Sequence, residues 1–421
     1  MALELLESVL QNRLPFDEAW AQHRGLKRLD EKDRGFVRHL CATTLRRLGQ
    51  IDALINHCLD KPIQKRALDI RYFLQIGVTQ ILFLKTPPHA AVDTTVNLAD
   101  YYGFKPLKGF VNAVLRRITK EGDTLLAAQD AERLNTPDWL WRSLSSTYGE
   151  ATARQIAQAH LNEPPLDITV KENPDTWATT LEGTMLPTGT VRRAHAGTIT
   201  TLPGFDDGSW WVQDTAAALP AHLLGNVQGQ SIIDLCAAPG GKTAQLALGG
   251  ASVIALDRSA GRLKILRENL RRLGLSAEVI QGDARSWQPA EPVDSVLIDA
   301  PCSATGTIRR HPDIPWLKSI EDVETLALRQ QELLSAAATM VRPGGTIVFC
   351  TCSLQAEEGP AQITAFLDQH SGFTRNQITK DEVFGLQDTL TELGELRTLP
   401  HHMAEHGGMD GFFAARLVRD R

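Results

Sequence analysis

The stretch Ser231-Ile232-Ile233-Asp234-Leu235-Cys236-Ala237-Ala238-Pro239-Gly240-Gly241-Lys242-Thr243 decides how this 421-residue chain is read. Its first five residues form an apolar run of strand length. Gly240 and Gly241 let the backbone approach a ligand closely, and a helix over 242–248 begins there. A strand that turns through glycines into a helix opens a βα unit whose loop faces a ligand. The spacing is neither G-x-G-x-x-G nor G-x-x-x-x-G-K. Dinucleotide and nucleoside-triphosphate readings are therefore weak.

Working outward, the alternation continues. Strand-like runs at 252–256, 277–281, 293–298 and 346–350 alternate with helical segments at 261–273 and 320–340, and a strand pair near 412–417 closes the chain. This pattern predicts an α/β Rossmann-like, doubly wound and mostly parallel sheet over residues 213–421. Residues 1–135 carry helical spacing without a strand signal. Examples are Leu5, Leu6, Val9 and Leu10, then Phe110 to Arg117 with its basic end, and Pro87-Pro88 as a helix stop. Residues 136–212 mix a helix through His160 with β-like runs at 166–170, 188–191 and 198–202, which predicts a small α+β linker module.

The second strand ends in Asp257, about 20 residues beyond the glycine loop, where a carboxylate can hold ribose hydroxyls. The third ends in Gly282-Asp283-Ala284, where an Asp can accept from the exocyclic amine of adenine. A tight turn without a ligand explains Gly-Gly alone, but not three such strand ends in succession. They predict a cofactor with a ribose and a base but no phosphates, and S-adenosyl-L-methionine fits that description.

The fourth strand leads into Asp299-Ala300-Pro301-Cys302-Ser303 and the fifth into Cys350-Thr351-Cys352-Ser353. Carbon 5 of a cytosine is too weak a nucleophile to take a methyl group unaided. A thiolate adding at carbon 6 makes carbon 5 enamine-like, an acid assists at ring nitrogen 3, and a base later removes the carbon-5 proton. Two cysteines and an acid at neighbouring strand ends meet those needs. Core packing is the plainer reading for Cys236 and Cys350.

Together, DLCAAPGGKT, the Asp257 and Asp283 strand ends, DAPCSATGTIRRHPD and TCS resemble the RNA (cytosine-5) methyltransferases of the RsmB/Sun/Fmu (NOL1/NOP2/Sun) family. Gln213-Asp214 and Asp410-Gly411-Phe412-Phe413-Ala414-Ala415-Arg416-Leu417 add its flanking signatures. The resemblance implies Cys352 as nucleophile, Cys302 as the thiol assisting release, and Asp299 between cofactor and cytosine. It also implies a cofactor loop of Cys236, Ala237, Ala238, Pro239, Gly240, Gly241 and Lys242, with Asp257 on the ribose and Asp283 on the adenine. The residues alone do not divide the labour between the two thiols. The N-terminal part is similar to NusB-type RNA-binding domains through Leu84 to Val92 and Gly109 to Arg117. That pairing implies 16S rRNA as substrate, with Arg24, Lys27, Arg28, Arg46, Arg47, Arg116 and Arg117 as phosphate contacts. Two stretches depart from the family's pattern. Pro164-Pro165 is followed by Thr169 and Lys171 in place of Arg and Asn, and the acidic stretch after TCS reads Glu357-Glu358-Gly359-Pro360, neither expected to touch the catalytic set.

Composition limits the alternatives. With 43% hydrophobic and 22% charged residues the chain reads as globular, and no apolar stretch reaches the ~20 residues of a membrane span. The amphipathic N-terminus lacks a basic n-region and a cleavage site, so a cytoplasmic location is the default expectation. The six cysteines match no zinc spacing, so no metal is expected. Net charge is −6, yet residues 1–140 carry 20 basic against 17 acidic side chains, a mild bias toward an RNA-binding N-terminal part. Rival readings are a tRNA cytosine-5 methyltransferase, and a non-catalytic RNA-binding assembly factor.

Overall fold

The computed structural model describes residues 1–61, 63, 68–195 and 197–421. The chain divides into two compact units, Met1–Asn162 with Ile308–Ser319, and Glu163–Thr307 with Ile320–Arg421.

The first unit is all-helical among its described residues. Helix Ala2–Leu10 buries Leu3, Leu5, Leu6 and Val9, and helix Lys108–Ala127 buries Val111, Val114, Leu115 and Ile118. The spacing of three and four puts each set on one stripe, and the stripes merge into one core with Ile51, Leu54, Ile55, Phe73 and Leu74. Pro87 and Pro88 end one helical segment and start the next. Pro88 stands at the first position of helix Pro88–Tyr101, where its missing N–H costs nothing. Helices Asp138–Tyr148 and Glu150–His160 also belong to this unit.

The segment Ile308–Ser319 completes the helical unit by many bonds. Arg46 donates to the Arg309 carbonyl at 2.7 Å, Trp316 Nε1 to that of Leu45 at 2.9 Å, and Trp139 Nε1 to that of Pro315 at 3.2 Å. Asp313 accepts from the Phe16 N–H at 2.9 Å. The Arg-Arg-His-Pro-Asp run, quoted above as part of one cysteine motif, is thus built into the other unit.

The second unit holds two sheets. The smaller is antiparallel, with strands β1 (Leu166–Val170), β2 (Thr184–Met185), β3 (Val191–Arg193) and β4 (Trp210–Val212) in the order β2-β3-β1-β4. Helix Pro174–Thr180 accompanies it in an α+β module, whereas the helix through His160 expected in that module belongs to the helical unit. The strand expected at 198–202 is instead a 3₁₀ turn, Ile199–Thr201. It pairs with no strand of the small sheet, whose outer strands are β2 and β4. A buried ion pair ties this sheet in. Arg192 Nε lies 2.6 Å from Asp167 Oδ1, and Asp167 Oδ2 accepts from the Thr215 N–H at 3.0 Å.

The larger sheet contains β5 (Ser231–Leu235), β6 (Ser252–Asp257), β7 (Glu278–Gln281), β8 (Val293–Asp299), β9 (Val341–Thr351), β10 (Phe373–Arg375), β11 (Leu396–Arg397) and β12 (Phe413–Arg419). Its order is β10-β12-β9-β8-β5-β6-β7, with β11 also on β12. β7, β6, β5, β8 and β9 run parallel, and β12 pairs antiparallel with β9. This is the expected Rossmann-like, doubly wound sheet with an antiparallel edge. The expected closing strand pair near 412–417 is a single strand, β12, whose partners come from earlier in the chain. Central strands are apolar on both faces: Ile232, Ile233, Leu297, Ile298, Val348 and Phe349 are all fully buried. Strands covered on both sides need this composition, and each such side chain contributes about 1.5–3 kcal/mol. The strand order reverses at β5, between β8 and β6, which opens a crevice at their C-terminal ends.

Candidate active site

That crevice holds a cavity of about 440 Å³ lined by the ends of β5, β6, β7 and β8 and by the turn after β9. Six sequence-predicted residues share its wall: Cys236, Asp257, Asp283, Asp299, Cys302 and Cys352. Leu256, Ala284, Ala300, Pro301 and Leu333 give it an apolar surface between the acidic edges. The size and lining suit a nucleoside-sized ligand.

The glycine loop supports the cavity more than it lines it. Cys236 takes φ +61°, in the left-handed region that a side chain disfavours, and turns the chain out of β5. Gly240 has φ +102° and precedes helix Gly241–Leu248. Ala237 and Ala238 are buried, and the Ala238 N–H donates to Asp257 Oδ2 at 3.2 Å. The Pro239 carbonyl accepts from Asn269 at 3.1 Å. Asp257 also accepts from the Ser259 N–H at 2.9 Å and faces Arg262 at 3.3 Å. Asp283 is gripped by Arg285 at 2.6 Å, and that bond first of all holds its carboxyl down at about 2. Asp257, buried at a strand end, and Asp283, ionised at the next, form the donor-hungry edges that a ribose and an adenine amine require. These residues fit S-adenosyl-L-methionine.

Lys242 points to the opposite wall, with Nζ 2.8 Å from Asp299 Oδ2 and 5.1 Å from the centroid of the Phe412 ring. Burial pulls its ammonium down, but Asp299, Cys350 and Asp234 outweigh that and the net shift is upward. Lys242 stays charged and fixes the Asp299 carboxylate.

Asp234 lies beneath the loop. It is fully buried, Oδ2 accepts from Thr243 Oγ1 at 2.6 Å, and Oδ1 has no hydrogen-bond partner. Burial pushes its carboxyl up to about 7. The folded protein therefore holds this proton where an unfolded chain, with a value of about 3.9, has lost it. Its contribution to stability is full below the unfolded value and is lost as pH rises through about 7. In Asp234→Asn that loss disappears, so the melting temperature of the variant should gain on wild type between pH 5 and pH 8. A difference that stays constant over this range would mean that Asp234 does not titrate there.

The two thiols meet. Cys302 Sγ and Cys352 Sγ are 3.5 Å apart, both half-buried, and all six cysteines are free. The hydrogen bond to Cys352 and then burial push the Cys302 thiol well up. Cys350 is buried in β9 beside Asp299, with Sγ 3.7 Å from Oδ1. Burial raises the thiols of Cys350 and Cys236, the latter to about 12, which leaves both poor nucleophiles. Gly306 brings the turns together. Its N–H donates to the Cys352 carbonyl at 2.9 Å, and an added Cβ would stand 1.9 Å from the Gly411 oxygen.

Four arginines also line the cavity, Arg258, Arg262, Arg285 and Arg329, and sequence reading had singled out none of them. The motifs quoted above contain Ser303, Ser353 and Glu358 but give them no role. Glu358 bonds both serines, so the acidic stretch after TCS reaches the residues next to Cys302 and Cys352.

Of the expected phosphate contacts, Arg24, Lys27, Arg28, Arg116 and Arg117 are exposed. Arg47 is instead committed to packing, with a bond to the Leu161 carbonyl at 3.0 Å and a seat over the Phe83 ring, as is Arg46 through Arg309. Among the described residues no group of side chains could hold a metal ion, and no helix is long and apolar enough to cross a membrane.

The chain matches two families: residues 221–418 match the 16S rRNA methyltransferase RsmB/F family, and residues 1–120 the NusB family. It is 37% identical over 411 residues to ribosomal RNA small subunit methyltransferase B of Enterobacter sp. (strain 638), spanning 94% of this chain and 92% of that one. The same protein of Escherichia coli O139:H28 is also 37% identical, over 93% and 92%. Among solved structures, that of PH0851 superposes with a TM-score of 0.76 at 22% identity, covering all of this chain and 98% of that one. NSun6 from Pyrococcus horikoshii, solved with SFG, gives 0.58 at 20% identity over 68% of this chain and 98% of its own. At those identities the structural likeness speaks for the fold.

Proposed function

Since the chain belongs to the 16S rRNA methyltransferase RsmB/F family, S-adenosyl-L-methionine-dependent enzymes of small-subunit rRNA, we propose that it methylates carbon 5 of a cytosine in 16S rRNA through a covalent Cys352 adduct. The observation that carries this reading is the meeting of two thiols 3.5 Å apart on the wall of a nucleoside-sized cavity, with Asp299 on the same wall.

Bound S-adenosyl-L-methionine supplies an electrophilic methyl group for carbon 5. Asp257 would hold its ribose and Asp283 its adenine, with the Cys236–Lys242 loop shaping the floor. The rest of the chemistry belongs to the chain. The Cys352 thiol gives its proton, relayed by Asp299, to nitrogen 3 as Sγ bonds to carbon 6, and the ring electrons shift so that carbon 5 becomes nucleophilic. Asp299, pinned by Lys242, faces the ring and assists at nitrogen 3. Once carbon 5 carries the methyl group it gives up its proton to a base, the S–C6 bond breaks, and the Cys352 thiolate leaves. Cys302 assists this release. That division of labour follows the resemblance, which assigns attack to the TC cysteine.

The helical unit, Met1–Asn162 with Ile308–Ser319, would supply RNA affinity through exposed Arg24, Lys27, Arg28, Arg116 and Arg117, with the small sheet as a linking module and the larger sheet as the core of the catalytic domain. The target base would be splayed from a loop into the cavity. Labelled S-adenosyl-L-methionine with unmodified 16S rRNA or 30S particles, followed by bisulfite mapping, tests the proposal. One new 5-methylcytosine is expected, and label on any other atom or RNA would refute it.

Asp257 gives a separate check on the cofactor pose. Asp257→Ala should weaken S-adenosyl-L-methionine binding about 10- to 100-fold by calorimetry, the scale of losing hydrogen bonds to a charged group. Unchanged affinity would place the ribose elsewhere.

A further inference from the structure

We propose that Glu358 is a positioning residue for the reaction, a buried carboxylate that clamps the turn bearing Cys302 to the turn bearing Cys352 and so sets the distance between the thiols. The inference rests on the reading that both thiols act in methyl transfer.

Glu358 is fully buried, on a short 3₁₀ turn just before helix Pro360–Gln369. Its Oε1 accepts from the Ser303 N–H at 2.8 Å and from Gln330 Nε2 at 3.2 Å. Its Oε2 accepts from Ser303 Oγ at 2.5 Å and Ser353 Oγ at 2.6 Å. Its carbonyl accepts from Thr351 Oγ1 at 2.9 Å. Ser303 directly follows Cys302, and Thr351 and Ser353 flank Cys352. One side chain therefore grips the immediate neighbours of both thiols, which are 50 positions apart in sequence. Gln330 extends the grip, because its Nε2 also donates to the Pro301 carbonyl at 2.9 Å.

Stability alone does not account for a carboxyl here. Burial raises its proton affinity despite the four donors, so the site works against its charge. Buried charged groups often add little net stability compared with apolar side chains of similar volume. What four convergent donors do provide is one fixed geometry for two separate turns. A second tether, the Gly306 N–H to the Cys352 carbonyl, holds the same turns on their backbone side. With Glu358 removed, that tether and the 3.1 Å contact of Ser303 Oγ with Ser353 Oγ remain, but the acceptor that orients both hydroxyls is gone.

Glu358→Gln and Glu358→Ala separate the possibilities. Glutamine keeps an oxygen for the Ser303 N–H and offers its NH₂ to the two serine hydroxyls, which can turn to accept. Alanine removes the one acceptor that the four donors share. Two readouts apply: kcat and KM with 16S rRNA, and the rate at which diamide joins Cys302 to Cys352 in free protein, located by peptide mass mapping. In that trapping step two thiols lose two protons and two electrons to form the disulfide, and diamide is reduced to the hydrazine. Glu358→Ala should lower kcat roughly 100-fold, the scale of an ångström-sized misplacement, with KM within about threefold. Trapping should slow at least about tenfold by the same loss of register. Glu358→Gln should stay within about threefold of wild type in each respect, because its bonds are retained. Wild-type kcat or wild-type trapping in Glu358→Ala would overturn the proposal, as would a Glu358→Gln as impaired as the alanine variant. Should Glu358→Ala fail to fold, Ser353→Ala carries the test, with slower trapping and lower kcat expected and wild-type values overturning it. Trapping needs neither RNA nor cofactor. Failure of the cytosine-adduct reading would show instead as an active Cys352→Ala enzyme and would leave the trapping result standing.

Discussion

Cys352→Ala should lose methyl transfer to 16S rRNA by at least about 10³-fold, the scale seen when a covalent nucleophile is removed, while S-adenosyl-L-methionine affinity stays within a few-fold. Without the thiolate, carbon 6 gains no bond and carbon 5 remains a weak nucleophile however well the cofactor is held. Cys352 touches the cavity from the β9 side, whereas Asp257 and Asp283 stand at the ends of β6 and β7, so its loss should spare the cofactor edges. Filter-binding of label from the methyl donor, paired with calorimetry, separates the two effects. An alanine variant that retains full activity would remove Cys352 from the nucleophile's role.

Cys302→Ala should also slow turnover strongly, but with the opposite effect on the intermediate. Attack by Cys352 remains possible, because the Asp299–Lys242 pair and the cofactor edges are intact. Release should fail, because the thiol 3.5 Å from the attacking sulfur is gone. RNA should then accumulate on the protein as a species that survives denaturing electrophoresis, and steady-state turnover should fall by about 10²-fold or more, the scale of losing an acid–base group. If no such species forms and turnover persists, the second thiol has no part in release.

The α/β unit was largely legible because its physics is local. β5, β8 and β9 are covered on both faces, so their apolar runs stand out, and the acids that end β6 and β7 occur where a strand must turn. The four arginines of the cavity were not legible, since nothing in an exposed-looking arginine indicates that Arg329, on a helix, faces a loop 25 or more positions earlier. Glu358 was hidden for a similar reason. Its partners Ser303 and Ser353 are 55 and 5 positions away, and only the pairing of β8 with β9, Asp299 opposite Cys350, brings them together. The run from Ile308 to Ser319 misled in another way. It reads as the tail of a catalytic motif, yet its Trp316 and Asp313 serve helices more than 250 positions earlier. The 3₁₀ turn at Ile199–Thr201 looked like a strand because threonine and isoleucine favour extended chain, but propensity alone makes no strand without a pairing partner.

The central claim is that Cys352 forms a covalent bond to the target cytosine. Its most direct test is mass mapping of the nucleotide-bearing peptide from Cys302→Ala protein incubated with 16S rRNA and S-adenosyl-L-methionine. The account predicts one modified peptide, containing Cys352 and carrying a methylated cytidine, absent when Cys352 is also replaced. A nucleotide attached to any other residue, or active wild-type enzyme whose Cys302→Ala form yields no attached nucleotide, would contradict it.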